Sequence, residues 1–346
     1  MKAKLLLILC LLVSIWSNAQ WQLNGNAGTN PATNFLGTTD NVPLFLRVNN
    51  IPAGKLDQGQ QCVFLGVNTP VSSTGVNNTV MGDSAAFAMS TGIRNTVIGA
   101  GAGKVFTTSS DNVYIGNDAG KNSAQGDNTI IGASAGTNNS GESVTIIGKE
   151  AGRANTGNGV VLLGEIAGEN NTQGNIIAIG FGAGRFNSGA TSVLIGNSAG
   201  STNAGADNVF VGSQSGANNT SGSVNTFIGD ESGFSNTTAS FNTFVGHRAG
   251  KNNSTGDENT FTGALSGQNN SSGSNNVFNG MFTGFHNSTG SDNTFVGYSS
   301  GEFNTSGSSN VYIGANAGIF SNSNENTFVG VNSGNQNSNS RSISIR

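Results

Sequence analysis

Short apolar runs of three residues, each closed by a glycine, recur along the chain from residue 63 onward. Thr129-Ile130-Ile131, Val193-Leu194-Ile195 and Thr243-Phe244-Val245 are examples, each followed by a longer stretch of small and polar residues. Runs of β-branched and aromatic residues bounded by Gly and Asn predict short strands. Helical periodicity is missing, and residues that favour helices are scarce. The closing glycine falls at 66, 82, 99, 116, 132, 148, 164, 180, 196, 212, 229, 246, 263, 280, 297, 314 and 330. Those 17 positions leave 16 intervals, eight of 16 residues and eight of 17. A second glycine follows four residues later in fifteen consecutive turns, Gly103 to Gly334. A fixed period of this length marks a solenoid. The predicted fold is all-β, a parallel β-solenoid (β-roll) of about 17 turns of 16–17 residues.

Successive strand side chains point to opposite faces. Val193 and Ile195 therefore share one face and Leu194 takes the other, and both faces are apolar. Only one face fits inside a narrow coil, so the other is expected to meet a neighbouring copy. The middle residue is aromatic from Phe210 through Phe227, Phe244, Phe261, Phe278, Phe295 and Tyr312 to Phe328, which predicts a core ladder of eight stacked rings. Asn stands four residues before the glycine in 12 of 17 turns, among them Asn95, Asn112, Asn225 and Asn310. Stacked Asn amides can hydrogen-bond from turn to turn. The small residue before the second glycine (Ala102, Ala119, Ala135, Ala151, Ser215, Ala249) implies close approach, read as approach to a partner chain. Thr262 and Asn279 replace the usual Ile or Val before the glycine, and predict a weaker, wetter stretch there. With strands ~4.8 Å apart, sixteen steps make a rod about 77 Å long.

The ends differ from the repeat. Met1-Lys2-Ala3-Lys4, the apolar run Leu5–Trp16 and Ser17-Asn18-Ala19-Gln20 have the parts of a secretory signal peptide, cut before Gln20. The run is shorter than the roughly 20 residues of a membrane span, and Cys10 lies inside it rather than at a lipoprotein cleavage end. Four segments follow: signal peptide 1–19, an N-terminal β capping or leader module 20–61, the β-roll 62–334, and a tail 335–346. Cys62 is the one cysteine of the mature chain, so no intrachain disulfide is expected.

Glycine makes up 53 of 346 residues, charged residues only 9%, and the net charge is −4. Basic clusters, which nucleic-acid binding needs, are missing. His247, directly after a turn glycine, and His286, in a polar arc, have no catalytic partner at a repeating offset, and are read as surface residues. Asp230-Glu231 and Asp257-Glu258 do not reproduce the calcium-binding nonapeptide of other rolls. No catalytic, cofactor-binding or metal-binding residue is assigned, no cofactor is implied, and no enzyme is expected.

The unit N-T-F-V-G-x-x-A-G, as in Asn242-Thr243-Phe244-Val245-Gly246, closely resembles the S-V-A-I-G-x-x-S-x-A repeat of YadA-like trimeric autotransporter adhesin heads. The resemblance covers roughly residues 62–334. It implies left-handed parallel β-rolls packed as a side-by-side homotrimer. Trp21 to Asn50, with Asn34-Phe35-Leu36-Gly37-Thr38-Thr39-Asp40-Asn41 and Pro43-Leu44-Phe45-Leu46-Arg47, is similar to the leader of Bacteroidetes surface or tail-fibre-like proteins. Turns here are longer than the usual head repeat, and no stalk, barrel anchor or chaperone domain follows them, which implies attachment in trans or a longer parent chain. The expected function is an extracellular or cell-surface adhesin or fibre at the outer membrane. It would bind a matrix protein, glycan or cell surface through arcs such as Asn252-Asn253-Ser254-Thr255-Gly256. A spacer rod carrying a further tip and an ice-binding solenoid are the alternatives; the arcs lack a regular Thr-x-Thr row. No nucleic acid partner and no direct membrane span are expected.

Overall fold

The computed structural model describes residues 27–30 and 34–346. The signal peptide, the cleavage site before Gln20, Cys10 and Trp21 lie outside the described residues. Two strands, β1 (Leu44–Val48) and β2 (Ile51–Asp57), form an antiparallel hairpin through Asn49-Asn50, both at positive φ. β2 then pairs antiparallel with β3 (Cys62–Leu65). From β3 through β4 (Thr79–Met81) to β19 (Thr327–Val329) and β20 (Ile343–Ile345), every strand pairs in parallel with the next. The result is a parallel β-solenoid of about 18 turns, with no helix among the described residues. The ladder thus runs on into the segment read as a tail. Arg346 occupies the position of the turn glycine there, and its carbonyl faces Gly330.

One of the three strand side chains enters the coil. Phe244 is fully buried, while Thr243 is exposed and Val245 half-buried. The same inward-middle pattern holds in every three-residue strand from β4 to β19. Inside, the rings from Phe210 to Phe328 stack with centroids 4.6–4.9 Å apart and planes within 10° of parallel. That spacing is the strand separation itself, so the sheet dictates the stack.

Two rows of asparagine also run through the interior. In the expected row, four residues before the glycine, Asn78 Oδ1 accepts from the backbone N–H of Asn95 (2.9 Å) and from its Nδ2 (3.1 Å). The row is interrupted by Val144, Val160, Ile176 and Ser192, all buried. A second row, seven residues after the glycine, is unbroken from Asn139 to Asn304. From Asn155 on, each Nδ2 donates to the Oδ1 one turn earlier, at 2.7–3.1 Å. Buried amides are costly unless paired, and here, Asn304 Oδ1 excepted, the second-row amides pair with their own repeat.

The second row also shows how 16- and 17-residue turns share one core. Its Nδ2 donates to the carbonyl two residues on in the shorter turns (Asn171 to Gln173, Asn187 to Gly189), and three residues on in the longer ones (Asn253 to Gly256, Asn270 to Gly273). The extra residue is absorbed immediately after the ladder asparagine. Strand, glycines and both ladders keep their register.

Where the core residue is tyrosine the second row changes as well. Tyr312 OH donates to Ser321 Oγ (3.0 Å), and Tyr114 OH lies 3.2 Å from Ser123 Oγ. Those two serines occupy asparagine positions, leaving room for the phenol, and burial pushes both tyrosine pKa values up. Asn304 Oδ1, one turn before Ser321, is left buried without a partner. Combining Tyr312→Phe with Ser321→Asn should extend the ladder onto it. We expect the pair to be more stable than either single variant, with a favourable coupling of about 1–3 kcal/mol in a double-mutant cycle of denaturant unfolding. Additive effects would count against this account.

Corners at positive φ bend each coil. Besides the two glycines, the residue two after the glycine and the residue five before it are left-handed, as at Arg248 (φ 55) and Phe241 (φ 59). Asn suits this region and β-branched residues do not. Val224 sits there at φ 59 with its side chain exposed. Val224→Asn should raise the unfolding free energy by about 1 kcal/mol, read as a higher urea midpoint at unchanged slope.

Candidate functional site

The outward side of the sheet is the most extensive regular surface. Its first row is β-branched throughout, from Val63 and Thr79 to Val311 and Thr327. The second is mostly Ile or Val, as at Ile98, Ile131, Ile195 and Ile313. Threonine therefore does recur on a flat face, but on the sheet rather than in the arcs, and mostly opposite Ile or Val; Thr79 stands opposite Met81, and Thr260 opposite a second threonine, Thr262. Ile147, Ile228 and Ile313 are each about 40% exposed, at 38%, 40% and 41%. A long strip of partly exposed Ile, Val and Thr side chains, interrupted by Thr262 and Asn279 in its second row, is unlike the scattered apolar residues of an ordinary surface.

Several expectations about this surface need correction. The small residues before the second glycine lie in the interior, not at a partner chain. Ser215 Oγ donates to the Phe227 carbonyl (3.0 Å) and Ser266 Oγ to that of Phe278 (3.2 Å), inside the coil. Thr262 and Asn279 point outward, and Phe261 and Phe278 beneath them stack at 4.8 Å without a break. Polar residues on that face leave the core intact, so the weaker stretch expected there has no counterpart inside. In the arc 252–256, Asn253 is a buried ladder member, while Asn252 and Thr255 face outward.

The arcs carry charges that pair along the rod. Arg94 and Asp111 form two hydrogen bonds (2.6 and 2.7 Å) across one turn. Glu169, almost fully buried, lies between Arg153 (2.9 Å) and Arg185 (2.7 Å), on the turns either side. Lys251 and Arg248 hold the Glu231 carboxyl below the usual carboxylate range, and Arg94 does the same for Asp111. Exposed pairs such as Arg94–Asp111 contribute little each. Stacked one turn apart, they favour the in-register pairing over a slipped one.

Of the histidines, His247 lies 3.3 Å from Asp230, one turn earlier. This carboxylate occurs once, so no repeating offset points to it; its one-turn spacing from His247 is the signal in the sequence. His286 stacks on Phe303 at 4.8 Å, and Phe303 on Phe320 at 5.1 Å, making a second, outward ring row six residues after the glycine. Phe282, Phe285 and Tyr298 adjoin it edge-on. Among the described residues no group of three or more His, Cys, Asp or Glu is placed to hold a metal, and no helix is long and apolar enough to cross a membrane.

At the leader end, Lys55 is buried and pairs with Asp57 (2.9 Å) and Gln60 (2.7 Å), its ammonium 5.9 Å from the Phe64 ring centre. Lys55 holds the Asp57 carboxyl below its ordinary value. Beside it, a cavity of about 430 Å³ is lined by Leu36, Val42, Leu44, Leu56, Asp57 and Cys62 among others. No family model, curated protein or solved structure matches the chain.

Proposed function

We propose that this chain is a non-enzymatic, exported rod that works as a surface adhesin or fibre, assembled as a homotrimer through the outward face of its sheet. The observation that carries the assembly is the strip of partly exposed side chains, mostly Ile, Val and Thr, that follows eighteen strands with Asn279 as its polar interruption. A strip of about 82 by 10 Å has an area near 800 Å², the share each partner contributes to a standard stable interface. Three such narrow faces turned toward a common axis would remove both aliphatic rows from water. Neighbouring turns repeat similar arcs at strand spacing, so weak contacts to a glycan, matrix protein or cell would add through avidity. A spacer rod bearing a further tip shares every feature except the adhesive arcs.

Light scattering of the purified chain tests the assembly. About three times the 34.9 kDa chain mass is expected, and a folded monomer would sink the trimer. Ile131→Lys combined with Ile195→Lys places two charges on the outward face without touching the core. We expect these changes to convert the trimer to monomers whose circular dichroism keeps its β signature. Retention of wild-type rods on immobilised cells or matrix, compared with bare support, separates adhesin from spacer.

A further inference from the structure

We propose that a gap between the last two turns of the described ladder is a binding site for a neutral sugar ring. In the 16-residue turns the backbone N–H eight residues after the glycine normally donates to the next turn. Ser140 does so to Asn155 (2.9 Å), Thr156 to Asn171 (3.0 Å) and Ser188 to Asn203 (2.8 Å). The equivalent bond is missing at Ala124, at Ala204 and, between the last two turns, from Asn322 to Asn337. The coil opens there into a cavity of about 270 Å³, lined by Phe320, Asn322, Ser323, Gln336, Asn337 and Ser338. Ser323 Oγ closes its far side on the Asn339 carbonyl (2.8 Å).

The lining chemistry selects the ligand. Phe320 is the end of the outward ring row, with one face covered by Phe303 and the ring 54% exposed. An aromatic face is electron-rich and attracts weakly positive C–H edges, and the C–H groups on one side of a pyranose are of that kind. The other side of such a ring presents hydroxyls. The Gln336 amide, the Asn322 Nδ2 and the Ser338 hydroxyl have no partner among the described residues. Asn322 is held in orientation because its Oδ1 accepts from the N–H groups of Thr305 (2.9 Å), Ser306 (2.8 Å) and Gly307 (3.2 Å). None of the six lining side chains is charged, so the site favours an uncharged ligand over a sialic or uronic acid. An aromatic platform with a few fixed polar groups is the general form of a small-ligand site.

This site deepens the adhesive reading and rests on it for its biological use, while its chemistry stands separately. The test is saturation-transfer NMR on the full chain with methyl β-D-glucoside, methyl β-D-galactoside, methyl α-D-mannoside and N-acetylglucosamine. At least one should receive saturation, strongest on the C–H protons of a single ring face. Phe320→Ala should weaken that binding at least tenfold and Gln336→Ala several-fold, with Phe320→Trp retaining it. Both positions face outward, so folding is checked by an unchanged melting profile. No transfer to any of the four sugars overturns the proposal, and so does transfer that survives Phe320→Ala. Adhesion to cells, measured in parallel, keeps the two failures apart. A rod that still adheres when the sugar site is silent loses only the site. A rod that binds sugar through Phe320 yet adheres to nothing loses only the adhesive reading.

Discussion

Phe261→Ala is expected to lower the unfolding free energy by about 3–5 kcal/mol, the range for emptying a buried aromatic site. The ring is fully buried and stacks on Phe244 and Phe278, at 4.8 Å on either side. Neighbours cannot close the space, because backbone pairing fixes the rungs at strand spacing on both sides. In a solenoid each turn contacts only its neighbours, so the damage should be local. Hydrogen exchange should rise at Thr260–Thr262 and in the two adjoining strands while turns near Ile131 keep their protection. A loss below 1 kcal/mol would mean that the ring stack contributes far less than its burial implies.

Gly246→Ala should do comparable harm by a different route. Gly246 sits at φ +140, and a Cβ built there would lie 2.5 Å from the carbonyl oxygen of Gly263 on the next turn. The conformation alone is worth about 1–3 kcal/mol to a residue other than glycine. The clash adds to it, since that carbonyl belongs to the backbone and cannot swing aside. Gly182→Asn is the control. Gly182 has φ +62, and its nearest neighbour for a Cβ is Ser198 Oγ at 3.7 Å. Other turns carry asparagine at this position, as at Asn316 and Asn332. Thermal melts should show a large fall for Gly246→Ala and little change for Gly182→Asn. Equal falls would show that positive φ, and not the approach of the next turn, sets the need for glycine.

These two residues also mark what could be read without coordinates. A strict period exposes which positions repeat, so the turn glycines, the Phe210–Phe328 rings and the asparagine before most strands were all legible. Direction was legible only where side chains alternate, along three residues of strand. In the arcs no alternation exists, and Asn253 looks like its neighbour Asn252 although one is a core amide and the other faces solvent. The serine and alanine before the second glycine were misplaced for the same reason. A covarying pair held a usable signal: tyrosine at 114 and 312 coincides with serine at 123 and 321. The final turn was hidden because Arg346 stands where the period calls for glycine. As for the gap beside Phe320, the backbone hydrogen bond missing there is missing at Ala124 and Ala204 too, so residue identity gives no sign of where the coil opens.

The placement of the extra residue in 17-residue turns has a consequence for how such a chain can change over generations. All the slack of the coil lies in one corner, beside the ladder asparagine and on the solvent side. Duplicating or deleting a turn, or lengthening that corner, leaves the rings and amides of the neighbouring turns in register. Reach and surface chemistry can therefore vary independently, the first by the number of turns and the second by what fills that corner, while the interior that keeps the molecule folded stays the same.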